Sequence, residues 1–295
     1  MSLGFAIPTL ALIGFSALLG IVRWPLPPRL VLPVVTALAC ITAGIVATLV
    51  AATVAGFSLG FLGTPDLPGW CRVVLLEHEV GDFEGVAATA AMLVMAFRIR
   101  NAIHRPREVA RRTRGRRIAI VETTEPLAYA APGRPGCVVV STGLLSHLAP
   151  RERQAVFAHE RAHLTQHHHR YLLAAAIAQA VNPALRPLVG RLRLATEQCA
   201  DEAAANALGG DRWTVARAIG KAAVTTTAHG HPLPAFAGGQ VVQRVEALIG
   251  PPPTRAASAL RFGVTTIGTA LFLSAGSIQL HNLWALIDHI CEPAS

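Results

Sequence analysis

Residues 2–22 carry no charged side chain, and a second uncharged run extends from Leu30 to Gly63. A helix of 21 residues rises about 31 Å, which matches the roughly 30 Å hydrocarbon layer of a bilayer. Lipid offers no partner to backbone polar groups, so a chain with such runs is driven toward spanning helices. Composition points the same way. Hydrophobic residues make up 52% of the 295-residue chain and charged residues only 15%, against about 25% charged in soluble proteins. An ordinary soluble enzyme, a disordered tail and a coiled coil are all excluded as expectations.

Residues 2–22 read as a retained span, because Arg23 and Arg29 follow the run and no basic segment precedes it. The run Leu30–Gly63 is too long for one upright crossing and too short for two with a polar turn, which predicts one tilted helix with an extended end. A third span centres on the uncharged stretch Gly85–Phe97, with Glu84 and Arg98 at the two interfaces. A fourth runs from about Phe262 to Leu280, with Trp284 as an interfacial anchor.

Sidedness follows from arginine. Residues 98–117 hold nine Arg and one Glu, whereas residues 64–84 hold five acids and one Arg. Arg-rich short loops stay cytoplasmic, which places 98–117 and the Arg23–Arg29 turn inside and both termini outside a cell membrane. The formal charge of +9 then serves anionic lipid, and no direct nucleic-acid contact is expected. Three parts result: residues 1–117 with three spans, an acidic outer loop and a basic linker; residues 118–250 as a cytoplasmic domain; and residues 251–295 with a Pro251–Pro253 hinge, the fourth span and a short outer tail. Cys71 and Cys291 both fall on the outer, oxidising side, where a disulfide and two free thiols are equally open.

The chemistry is concentrated in the middle part. His159, Glu160 and His163 form H-E-x-x-H within Arg151–Arg170, preceded by Pro150, a residue favoured at helix starts. Histidines four apart lie one helical turn apart on one face and can share a metal, with the intervening glutamate beside it as a proton acceptor. Glu197 lies 34 residues past His163, on a helical stretch from Leu192 to Leu208, and Asp201 follows one turn later. A catalytic zinc takes three protein ligands and keeps a place for water, and two histidines with one glutamate are such a set. One Zn²⁺ held by His159, His163 and Glu197 is therefore expected, with Asp201 accepting a hydrogen bond from a liganding ring. His167, His168 and His169 read as a wet helix end. The apolar stretch Leu172–Val181, closed by Asn182-Pro183, is too short to span and predicts a buried or interfacial helix.

The stretch Cys137–His163, followed by Glu197-Gln198-Cys199-Ala200-Asp201, resembles the integral-membrane gluzincins. These comprise the BlaR/MecR-type antirepressor peptidases and their HtpX-type cousins. The likeness covers roughly residues 118–250, and four spans with the zinc domain between the third and fourth resemble the BlaR/MecR arrangement. It implies a mainly α membrane protein with a cytoplasmic α+β zinc peptidase domain built from an HExxH helix, an ExxxD helix and a small β-sheet. His159, His163 and Glu197 would be the ligands, Glu160 the general base, and a BlaI/MecI-type winged-helix repressor the cytoplasmic protein substrate. Relatives often place Asn-Ala-Phe on the edge strand that binds substrate, and Leu127-Ala128-Tyr129 corresponds here without the Asn. HtpX-type enzymes carry His-Pro followed by Arg-Ile-x-x-Leu. His231-Pro232 and Arg244-Val245-Glu246-Ala247-Leu248 look similar, which makes His231 or Arg244 a candidate oxyanion donor. With Ser295 closing the chain and a single lysine, Lys221, no Ser-x-x-Lys pair for β-lactam sensing is expected. Two other readings remain: an HtpX-like quality-control protease, and a non-enzymatic signalling protein with structural zinc.

Overall fold

A computed structural model describes residues 27–62, 80–112, 115–228 and 235–250, together with residues 14 and 20. Most of the first expected span, all of the fourth, Cys71, Cys291, His231 and the Pro251–Pro253 hinge lie outside the described residues.

Helix α1, Pro28–Leu62, is one continuous rod of 35 residues. Pro28 opens it where no hydrogen bond is lost. Its hydroxyls are satisfied internally: Thr36, Thr42, Thr48, Thr53 and Ser58 each donate to the carbonyl four residues back, at 2.7–2.9 Å. That removes the main polar obstacle to an apolar environment. Helix α2, Asp82–Arg112, starts with Asp82 and Glu84, which complement the positive end of its dipole. Phe83, Val86, Leu93, Val94 and Phe97 project outward from it, exposed. Segments Pro28–Ser58 and Asp82–His104 are each long and apolar enough to cross a membrane, with mean hydropathies of 2.4 and 1.4.

A three-stranded sheet follows, with strands β1 (Ile118–Val121), β2 (Ala128–Ala131) and β3 (Cys137–Ser141) in the order β1-β3-β2. The central β3 is buried along its whole length, as a run of Cys-Val-Val-Val-Ser would be when covered on both faces. It pairs parallel with β1 (Ile118 opposite Val138) and antiparallel with β2 (Ala130 opposite Val138). Ser141 ends β3 and caps helix α3, Thr142–Ser146, its Oγ accepting from the N–H groups of Leu144 and Leu127. Gly143 lies so close to the Thr124 carbonyl that a Cβ there would collide with the backbone.

Helix α4, Pro150–Thr165, carries H-E-x-x-H. Gln166 and His167 break it, with His167 in the left-handed region at φ 54°, and α5 resumes at His168 and runs to Val181. A short 3₁₀ turn, Pro183–Leu185, is capped by the Asn182 side chain. It leads into α6, Arg186–Ala207. Gly209 and Gly210, both at positive φ, close α6. Asp211 then caps α7, Arg212–Ala228, through Thr214. Helix α8 is Ala235–Ile249.

Two cores position the site. In one, Ala155 of α4, Ala204 and Ala205 of α6, Val215, Ala216 and Ala218 of α7 and Leu248 of α8 pack together. Small side chains let these helices approach closely, and α4 with α6 is the most extensive pairing among them. In the other, Val31, Leu32, Val35 and Leu38 of α1 pack on Ala175 and Val181 of α5 and on Leu188, Val189 and Leu192 of α6. One apolar core thus joins residues on both sides of the sequence boundary at 117.

Candidate active site

The pairing of α4 with α6 brings the expected donors together. His159 Nε2 lies 3.2 Å from His163 Nε2 and 3.4 Å from Glu197 Oε2, and His163 Nε2 lies 3.6 Å from Glu197 Oε1. A tetrahedral zinc with ligand distances of about 2.0–2.2 Å needs donor atoms about 3.3–3.6 Å apart. The observed spacing fits such an ion. So does the charge. Glu160, Glu197 and Asp201 surround one guanidinium, that of Arg244. Carboxylates outnumber the one guanidinium here, so a bound cation would meet a favourable field.

Asp201 lies behind His159. Its Oδ1 is 2.9 Å from His159 Nδ1, the ring atom facing away from the other donors. A carboxylate at that distance favours the proton on Nδ1, which leaves Nε2 free to ligate. Asp201 is buried and would be costly there without a cation. Arg244 of α8 supplies that cation: Nε donates to Oδ2 at 2.8 Å and Nη2 to Oδ1 at 2.6 Å, while Nη1 lies 3.0 Å from Glu197 Oε2. The guanidinium is engaged by these two carboxylates, so it orients them rather than standing free as an oxyanion donor. His231 lies outside the described residues.

The electrostatics favour a positive charge between the rings. Burial opposes protonation of His159, but bonds to Asp201 and Glu197, with their charges, push its imidazole up to about 10. Burial and the neighbouring His159 bring His163 down to about 4. Burial also opposes ionisation of Glu197, yet His159, Arg244 and His163 hold it well below the usual carboxylate range. Glu160 moves the other way. Burial and the charge of Glu197 raise it, against His159, Arg244 and a bond from the Ala130 N–H. A carboxylate whose proton affinity is raised in this way is a better proton acceptor.

These groups line a cleft of about 590 Å³ with β2 along one wall and α7 along the other. Among the described strands β2 is an edge of the sheet; it holds Ala128 and Tyr129, and Leu127 directly precedes it. The Ser141 N–H bonds to the Leu127 carbonyl at 2.9 Å. Bonded and non-bonded pairs alternate in antiparallel strands, so the polar backbone of Ala128 and Ala130 turns away from β3 and toward the cleft. The bond from Ala130 to Glu160 agrees with this. Leu144, Val215, Ala218 and Ile219 give the cleft an apolar side.

Of the three histidines after H-E-x-x-H, only His167 is at a wet helix end. The left-handed step at His167 swings His168 inward, where it is only 1% exposed and touches His163, while His169 lines the cleft. Helical periodicity carried through residue 170 hides this turn. Glu152 and Lys221 were not singled out from the sequence either. The buried Glu152 accepts from the Ala149 N–H and from Lys221 Nζ, pinning the start of α4 to α7.

A half-buried H-E-x-x-H motif at a cleft, a carboxylate from a second helix and an edge strand beside them define the class: a metallopeptidase-type site. The chain matches peptidase family M48 over residues 98–191, from within α2 to the start of α6. Members of that family are zinc metalloproteases. The match covers His159, Glu160 and His163 and stops before Glu197, Asp201 and Arg244, which the fold alone brings to the site. No curated protein and no solved structure matches the chain.

Proposed function

We propose that this chain is a membrane-anchored zinc endopeptidase with His159, His163 and Glu197 as ligands and Glu160 as general base. The observation that carries the reading is the donor spacing of 3.2–3.6 Å with Glu160 beside it. Zinc, when bound, polarises a scissile carbonyl and acidifies water. The remaining work belongs to the chain. The backbone of Ala128 and Ala130 takes an extended peptide as an added strand on β2. Glu160 accepts the proton of the attacking water and passes it to the leaving amine. Asp201 and Arg244 hold His159 and Glu197 in place. In full-length protein purified in detergent, Glu160→Gln is expected to keep zinc and to lose about 10²–10⁴-fold in peptide hydrolysis. Full activity in that variant would refute the assignment.

The substrate proposed is a cytoplasmic winged-helix repressor of the BlaI/MecI type, cut by a zinc domain lying between the third and fourth of four spans. The resemblance of residues 137–163 and the arginine bias of residues 98–117 support this. A second reading, quality control of membrane proteins as in HtpX-type enzymes, is favoured by Arg244, the arginine of the HtpX-like pattern, which engages both Asp201 and Glu197. Incubation of wild type and Glu160→Gln with purified winged-helix repressors and with a misfolded membrane protein separates the two readings. Cleavage of the repressor at one bond supports the first, and cleavage of the misfolded protein alone supports the second.

A further inference from the structure

We infer that His168 is a positioning residue that, with Gln166, fixes the ring tautomer of His163 so that its Nε2 lone pair faces the metal site. The inference rests on the zinc reading above and extends it from the ligands to what holds them. His168 Nδ1 lies 3.1 Å from His163 Nδ1, and His168 Nε2 lies 3.2 Å from Gln166 Oε1. The two rings meet edge to face, 4.9 Å between centroids and 85° between planes.

The direction of each bond follows from the atoms. With Gln166 Oε1 turned to the ring, as the structure has it, the His168 proton is assigned to Nε2. A neutral imidazole with a proton on Nε2 has a bare Nδ1, which can only accept. The His163 proton must then lie on Nδ1, which leaves Nε2 bare. That Nε2 is the atom 3.2 Å from His159 Nε2 and 3.6 Å from Glu197 Oε1. The same assignment is reached from the other end, because a neutral histidine that ligates through Nε2 carries its proton on Nδ1 and needs an acceptor there. For His159 that acceptor is Asp201; for His163 it is a second histidine.

The backbone is shaped for this contact. His167 takes a left-handed conformation, uncommon for a residue other than glycine. That one residue ends α4 and starts α5 with the His168 ring turned back onto His163. A helix continued through residue 170 would have carried His168 past it.

The test is zinc affinity of the metal-free, full-length protein in detergent, measured by competition with a chromogenic chelator at matched helical circular dichroism. His168→Leu fills the space without an acceptor and is expected to weaken binding about 10–100-fold. His168→Asn places an amide oxygen near the position of Nδ1 and is expected to recover most of that loss. Gln166 is exposed, so Gln166→Met leaves folding intact; it is expected to give an intermediate loss and serves if the Leu variant does not fold. A space-filling role alone would reverse the order of Leu and Asn. Wild-type affinity in both His168→Leu and Gln166→Met, or equal loss in Leu and Asn, overturns the inference. His163→Ala separates the two levels: if it keeps wild-type zinc affinity, the ligand assignment itself fails. If it loses zinc while His168→Leu does not, only the role of His168 fails.

Discussion

Removing the charge of Glu152 is expected to loosen the metal helix in a pH-dependent way. Its carboxylate is 1% exposed and accepts from the Ala149 N–H at 2.8 Å and from Lys221 Nζ at 2.7 Å, with Arg217 Nε 3.6 Å away. Losing one partner of a fully buried pair costs about 3–5 kcal/mol. Here the cations are half-exposed, so water rehydrates them when the carboxylate is neutralised and screens the pair. The loss for Glu152→Gln should then be closer to that of a hydrogen bond to a charged group, about 1.5–3 kcal/mol. For a domain of this size that is a fall in Tm of roughly 4–10 °C. Burial alone would raise the Glu152 pKa, but the Lys221 bond, the Ala149 N–H and the charges of Lys221 and Arg217 hold it below its ordinary value of 4.5. A depressed carboxylate stabilises the fold above its unfolded pKa and ceases to do so as pH falls through the folded one. The gap in Tm between wild type and Glu152→Gln, measured by circular dichroism in detergent, should therefore be full at pH 7 and shrink below pH 4.5. An absent gap, or one equally large on both sides of that range, would refute the argument.

Three further outcomes follow from the site and the spans. Asp201→Asn removes the charge that orients His159 and should weaken zinc binding about 10–100-fold, read by chelator competition; unchanged affinity would mean the ring needs no such partner. Ala128→Pro deletes an N–H that faces the cleft rather than β3 and leaves the Ala130–Glu160 bond in place, so the fold should survive and zinc should stay bound while peptide hydrolysis falls at least tenfold. Activity equal to wild type would dismiss strand addition on β2. Single cysteines placed at Arg107 and at Asp66 should react with an impermeant maleimide from opposite sides of sealed vesicles, and labelling from one side would contradict the arginine-based orientation.

Local features of the chain made some of this legible and hid the rest. The uncharged run from Leu30 announced α1, and its satisfied hydroxyls show why it forms one helix. Spacing in H-E-x-x-H and in the Glu197–Asp201 pair announced which side chains share a face, because both rest on the helical repeat alone. What periodicity cannot carry is a contact between distant residues. Arg244 reaches Asp201 across 43 positions and Lys221 reaches Glu152 across 69. The packing of Val35 and Leu38 on α5 and α6 is equally remote in sequence, so apolar positions on α1 read as lipid-facing although part of them forms a protein core. His168 was hidden for a different reason. One left-handed residue at His167 resets the helical phase, and although histidine is enriched in that conformation, nothing local picks it out of the run His167–His169.

The account stands most directly on the metal and its three donors. The zinc K-edge absorption spectrum of the full-length protein in detergent should show one zinc per chain with only nitrogen and oxygen neighbours at about 2.0–2.2 Å, and Glu197→Ala should lose that ion. A sulfur shell near 2.3 Å, or a Glu197→Ala variant that retains zinc with an unchanged spectrum, would contradict it.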